Sequence, residues 1–220
     1  MGYRETRFGE DVYSFQTLHL IQQKVDIQPA EPKLNLVNIP GADGTKDMSE
    51  LPGGRLYYKD RKITWTFALY PGDNWDAKHA QVSNALNGKR CTIHLHTDWD
   101  WYYEGRVTVK KYNRDKALRQ ITVEATCAPY KRKVALSGGD FDITTERRDI
   151  HLTNTRLPVA PDFYASVETE ITWNGMTAVI APGVWFSSLD IELPEGGGTI
   201  GARAISDAGT LRILYREGSL

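Results

Sequence analysis

From residue 61 onward, apolar and polar positions alternate along most of the chain. Ile63, Trp65, Phe67 and Leu69 alternate with Thr64, Thr66 and Ala68. Cys91, Ile93 and Leu95 alternate with Thr92, His94 and His96, and Trp101, Tyr103, Gly105, Val107 and Val109 with Tyr102, Glu104, Arg106 and Thr108. Ile121, Val123, Ala125 and Cys127 repeat the pattern against Thr122, Glu124 and Thr126. Successive side chains of a strand point to opposite faces, so each stretch predicts a strand with one buried face. The links DWD (98–100) and NRDKA (113–117) are short and polar, which predicts an antiparallel meander. One segment departs from this period. Trp75, His79, Val82 and Leu86 recur at helical spacing, Asp73-Asn74 offers a cap and Gly88 a left-handed stop. These features predict a helix from about Asn74 to Asn87 that lays its Trp75 stripe on the sheet.

A second all-β stretch follows. Phe163, Ala165, Val167, Thr169, Ile171 and Trp173 keep one phase, and Asn174-Gly175 then signals a type I′ hairpin returning through Ala178 and Ile180. Trp185-Phe186, Leu189, Ile191 and Leu193 come next, Gly196-Gly197-Gly198 forces a turn, and Leu211, Ile213 and Tyr215 close the unit. Many short strands with frequent turns predict a sandwich. Between the halves, Lys131-Arg132-Lys133 reads as a solvated basic triplet and Ser137-Gly138-Gly139-Asp140 as exposed connection, which places domains at 1–133 and 134–220. Ahead of the first long strand, IPGADGTKDMSELPGGRLYYKDR (39–61) holds turns at Pro40-Gly41, Asp43-Gly44 and Pro52-Gly53-Gly54 with a capping pattern between them, then enters the strand through Tyr57-Tyr58.

Composition narrows the function classes. The 220 residues are 40% hydrophobic and 25% charged with a net charge of −1, ordinary for a globular protein and without the basic excess of a nucleic-acid binder. No apolar run is long enough to span a membrane, and the charged N-terminal segment lacks the apolar stretch of a secretory leader. Cys91 and Cys127 fall at apolar phases, which predicts buried reduced thiols and folding in a reducing cytoplasm.

Three groupings invite a chemical reading, and each falls short. His94-Leu95-His96-Thr97-Asp98-Trp99 approaches a zinc hydrolase pattern, because histidines two apart on a strand share a face, but Trp99 stands where a third histidine is required. Asp98, Asp100 and Glu104 lie among Trp99, Trp101, Tyr102 and Tyr103 like glycosidase or sugar-binding carboxylates, yet turn chemistry and sheet packing account for them. His151, Asn154 and Arg156 approach the H-x-N-x-R sugar motif of galectins with one residue too many, which in a strand turns the later side chains to the opposite face. No nucleophile elbow, phosphate loop or dinucleotide fingerprint occurs. The expectation is a protein without catalysis, cofactor or metal.

The order of features resembles the distal tail (Dit) proteins of siphophages and prophages. The likeness is carried by IPGADGTKDMSE (39–50), YYKDRKITWTF (57–67), the helix with its LNGKR exit (86–90), DWDWYYEGRV (98–107), ITVEATCAPYK (121–131) and GTLRILYREGSL (209–220). This resemblance implies a mainly β architecture: an N-terminal β-sandwich with one α-helix and a protruding arm, then a small galectin-like β-sandwich. It implies a homo-hexameric ring at the virion tail tip, assembled in the bacterial cytoplasm. The implied partners are the major tail tube protein, the tail-associated fibre or lysin protein and baseplate or receptor-binding proteins, with no nucleic-acid recognition and no membrane insertion. A ring needs a head-to-tail interface, and such interfaces favour aromatic and arginine anchors. Arg55, Tyr57, Tyr58, Arg61, Tyr102 and Arg106 are the candidates for ring or partner contacts. The alternative is a carbohydrate-binding module that aids adhesion to host cell-wall polysaccharide.

Overall fold

The structure, a computed structural model, describes residues 4–51, 53–113, 119–188 and 190–220, with the side chains of 111–113 excepted. Most of the NRDKA link, Pro52 and Leu189 lie outside the described residues. The chain forms two compact units, Met1–Lys131 and Arg132–Leu220.

The first unit contains β1 (Thr6–Phe8), β2 (Val12–Tyr13), β3 (Leu20–Ile27), β4 (Leu36–Asn38), β5 (Thr45–Asp47), β6 (Arg61–Leu69), α1 (Trp75–Leu86), β7 (Arg90–Leu95), β8 (Asp98–Asn113) and β9 (Gln120–Cys127). Seven of these strands form one antiparallel path, β2-β1-β7-β8-β9-β6-β3, while β4 and β5, among the described residues, pair only with each other. The predicted apolar phases face inward: Ile63, Trp65, Phe67, Val107, Ile121, Val123 and Ala125 are fully buried. The ends of the path meet. Phe8 of β1 packs edge-on against Trp65 of β6 at 5.2 Å, and Thr6 of β1 donates its hydroxyl to Gln22 Oε1 of β3 at 2.6 Å. A sheet must bury its apolar face, and this one does so by closing on itself as a sandwich.

The helix forms as its sequence predicts. Asn74 Oδ1 accepts the Ala77 N–H at 3.0 Å, and Gly88 leaves the helix at φ +79°. Val82 and Leu86 are buried, Trp75 packs against the same core, and His79 sits half-buried at its edge.

The first hairpin differs from its prediction. The β7–β8 turn is His96-Thr97, flanked by the pair Leu95–Asp98, so DWD opens β8 instead of linking strands. The register of β7 shifts between Ile93 and Leu95, which moves the turn upstream of the polar DWD residues. The capping pattern before Leu51 starts no helix; Thr45–Asp47 is β5, and Ser49 and Glu50 form a turn.

The second unit contains β10 (Lys131–Lys133), which carries the chain across the boundary, then β11 (Ser137–Ile143), β12 (Arg148–Leu152), β13 (Asp162–Ala165), β14 (Thr169–Trp173), β15 (Met176–Ile180), β16 (Trp185–Ser187), β17 (Gly198–Ala204), β18 (Gly209–Tyr215) and β19 (Gly218–Ser219). Two four-stranded antiparallel sheets, β11-β18-β13-β16 and β12-β17-β14-β15, share one core. Ile143, Phe163, Leu211 and Ile213 from the first sheet meet Ile150, Ile171, Ile200 and Ala202 from the second. The Phe163–Trp173 run is therefore two strands in different sheets. Both bury the same parity, so the phase is unbroken where the chain crosses between layers. Asn174 and Gly175 both hold positive φ, +47° and +81°, as a type I′ turn requires.

The junction is more ordered than its composition predicts. Ser137-Gly138-Gly139-Asp140 opens β11 and pairs with β18, and the Lys131–Lys133 triplet is a half-buried strand, not a solvated face. Lys131 Nζ lies 2.6 Å from Asp98 and Lys133 Nζ 3.0 Å from Glu217.

Candidate assembly surface

Among the described residues of the first unit, the most exposed apolar side chains lie on the arm between β3 and β6. Pro40-Gly41 and Asp43-Gly44 close the β4–β5 hairpin, the glycines at φ +83° and +74°. At its base, Ser49 Oγ accepts the Asn35 N–H at 2.8 Å while Asp47 Oδ1 accepts the Ser49 N–H at 2.9 Å and its hydroxyl at 2.5 Å. These bonds from Ser49 hold the Asp47 carboxyl below the usual carboxylate range. The root is a short antiparallel contact: the Lys33 N–H donates to Tyr57 O at 2.8 Å and the Lys59 N–H to Glu31 O at 2.7 Å. Leu34, Leu36, Val37, Ile39 and Leu51 project from this scaffold into solvent, Leu51 being 67% exposed. Short β4 and β5 bury nothing within the unit, so the arm's backbone is ordered by turns and hydrogen bonds while its apolar side chains stay free to meet another surface.

The six side chains singled out from the sequence occupy different environments. Arg55 lies 5.0 Å over the Tyr57 ring at the arm root, and Tyr58 meets Tyr130 edge-on at 5.8 Å. Arg61 is only 5% exposed; its guanidinium lies 5.5 Å over Tyr103, so its contacts are internal. Tyr102 packs 5.6 Å from the His94 ring, and Arg106 is exposed, donating from Nη1 to Gly88 O at 2.6 Å. Arg55, Tyr57 and Tyr58 thus cluster at the arm root, while Tyr102 and Arg106 share the outward phase of β8. Sequence reasoning missed the arm's aliphatic side chains. Their signal is a run, Leu34, Leu36, Val37 and Ile39, with no long strand or helical stripe to bury it.

The structure separates the two histidines and divides the H-x-x-N-x-R residues between core and surface. His94 is 5% exposed and stacks on Trp99, while His96 lies in the turn, so the two do not share a strand face. Burial, reinforced by Arg7, pushes the His94 imidazole pKa down. Asp98 is engaged by Lys131. Asn154 is buried and donates from Nδ2 to the carbonyls of Leu157, Leu193 and Pro194 at 2.8–3.1 Å, fastening a loop, while His151 bonds Thr199 Oγ1 at 2.7 Å on the exposed face of β12. Among the described residues, no cluster of three or more His, Cys, Asp or Glu side chains is placed to hold a metal ion.

No family model matches the chain, and no curated protein matches it. Among solved structures the chain is similar to the Dit protein (gp 19.1) of SPP1, described as a paradigm of the hub adsorption apparatus in phages that infect Gram-positive bacteria. The likeness spans 100% of both chains with a TM-score of 0.66 at 14% sequence identity. At that identity the likeness establishes the fold alone, which is mainly β.

Proposed function

We propose that this protein is a structural hub of a phage tail tip, without catalysis, forming a ring of six copies that joins the tail tube to the tail-associated fibre or lysin protein and the baseplate or receptor-binding apparatus. The observation that carries this reading is the end-to-end likeness to a hub protein. The arm supports it, because an ordered hairpin bearing exposed leucines is suited to covering a neighbouring copy in a head-to-tail ring. In this reading Arg55, Tyr57 and Tyr58 contribute anchors at the arm root and Tyr102 and Arg106 from β8, and Arg61 supports Tyr103 from within.

Light scattering with negative-stain imaging tests it. A ring of about 149 kDa, six copies of the 24.8 kDa chain, is expected, and deleting the hairpin tip (39–44) should lower the mass to that of a monomer while the unit stays folded. A wild-type chain that stays monomeric at high concentration, both alone and when co-expressed with the neighbouring tail proteins, overturns the reading.

A further inference from the structure

The outer face of the sheet β11-β18-β13-β16 carries one straight row of side chains. Asp140 pairs with Arg212, Arg212 with Tyr164, and Tyr164 with Trp185, so each is the direct cross-strand neighbour of the next. Arg212 donates to Asp140 from Nε at 2.6 Å and from Nη2 at 2.8 Å, and the two side chains remain half-exposed. Beyond them the Tyr164 and Trp185 rings pack at 5.3 Å, with Trp185 52% exposed on the edge strand. With neighbouring strands 4.7–4.9 Å apart, the row spans roughly 14 Å.

We propose that this row binds a neutral pyranose oligosaccharide. The C–H face of a sugar ring is apolar and stacks on an aromatic face, which Tyr164 and Trp185 provide as a two-ring ledge. The hydroxyls around the ring edge need donors and acceptors together. An arginine carries five N–H donors and an ionised carboxylate about four acceptor sites, so the bidentate pair leaves roughly three donors and two acceptors for hydroxyls. The pair carries no net charge, which selects an uncharged ligand over an acidic one. The opposite sheet provides the contrast: its outer face holds the similar pair Arg203–Glu170, at 2.7 and 2.9 Å, beside Thr172 and Gly201, with no aromatic ring in the row. The site stands apart from the H-x-x-N-x-R segment, whose Asn154 is committed to the fold.

The test uses the full chain on an array of neutral hexose and N-acetylhexosamine oligosaccharides, followed by tryptophan-fluorescence titration with those that bind. Wild type should bind at millimolar concentration or better. Trp185→Ala and Arg212→Ala should each weaken binding at least tenfold, and Arg203→Ala, on the other sheet, should leave it unchanged. Trp185 is half-exposed on an edge strand, so its removal should leave the circular dichroism spectrum unaltered, and Trp185→Phe should retain part of the binding. Absence of binding to every neutral oligosaccharide overturns the proposal, as does a Trp185→Ala protein that binds like wild type. A Trp185→Ala protein that binds sugar normally but fails to assemble would reassign the row to a protein contact. Hub assembly is read separately by particle mass, so failure here leaves the tail-tip reading standing.

Discussion

Trp65 Nε1 donates to Thr6 Oγ1 at 3.1 Å across 59 positions of sequence, and that bond joins strands four places apart in the sheet. Thr6 in turn donates its hydroxyl to Gln22 Oε1 at 2.6 Å and its backbone N–H to Ser14 Oγ at 3.0 Å, so one buried threonine ties β1 to β6, β3 and the loop after β2. Thr6→Val keeps the shape and removes the hydroxyl. It leaves the Trp65 N–H buried without an acceptor, which should cost about 1–3 kcal/mol. Urea unfolding followed by tryptophan fluorescence reads this as a lower midpoint with an unchanged slope.

Arg61 separates packing from assembly. Its guanidinium is buried over Tyr103, and its Nε has no hydrogen-bond partner among the described residues. Arg61→Met retains the long apolar stem and should change stability by less than about 1.5 kcal/mol, whereas Arg61→Ala should cost about 1–3 kcal/mol through lost packing and lost cation–π contact. Because its contacts are internal, particle mass should be that of wild type in Arg61→Met. A folded Arg61→Met protein that fails to assemble would place Arg61 at a contact between copies.

Gly105 stands between the cysteines, paired with Cys91 on one side and Cys127 on the other. A Cβ there would come within 2.6 Å of both Cys127 Sγ and Thr126 O, so Gly105→Ala must displace a neighbouring strand. The overpacking should cost about 1–3 kcal/mol and lower the melting temperature. Burial, with the neighbouring Cys91 thiol, pushes the Cys127 thiol up to about 12. Alkylation at pH 8 should therefore leave Cys127 unmodified in native wild type and reach it only on unfolding, and earlier in the temperature scan for Gly105→Ala.

Glu217 gives the second unit an acid-sensitive fastening. Its carboxylate accepts from Ser137 Oγ at 2.5 Å, from Lys133 Nζ at 3.0 Å and from the Thr155 hydroxyl. Burial alone would raise its pKa; the three hydrogen bonds and the lysine charge overcome that and hold it at about 2, against 4.5 for the free side chain. A depressed folded value means the native state keeps the proton off longer than the unfolded chain does. The stabilisation is complete above about pH 4.5 and is lost as the pH falls towards 2. Glu217→Gln should lower the melting temperature at pH 7, and the gap to wild type should narrow through that acid window. An equal gap at pH 7 and pH 2.5 would show that shape, not charge, is what matters.

The strand phases were readable because alternation is a local consequence of burying one face. Ile63 to Leu69 and Ile121 to Cys127 bury the predicted parity, and Asn74 and Gly88 end the helix where their chemistry requires. Legibility failed where the partner, not the segment, decides. The β7–β8 turn sits at His96-Thr97 because the register shift in β7 sets the pairing, and the glycine-rich Ser137–Asp140 segment is a strand because β18 is there to receive it. Short β1 and β2 carry too few residues to display a period at all.

The sequence by itself determined the class of fold, the single helix, the type I′ turn at Asn174-Gly175 and the lack of a local catalytic motif, because each depends on neighbours within a few residues. Tertiary structure alone decided which surfaces are available. It turned Arg61 and Asn154 inward, left the arm's leucines outside, and set Asp140, Arg212, Tyr164 and Trp185 in one row although they lie on four strands far apart in the chain. Exposure and cross-strand adjacency are properties of pairing between distant segments, and no local period encodes them.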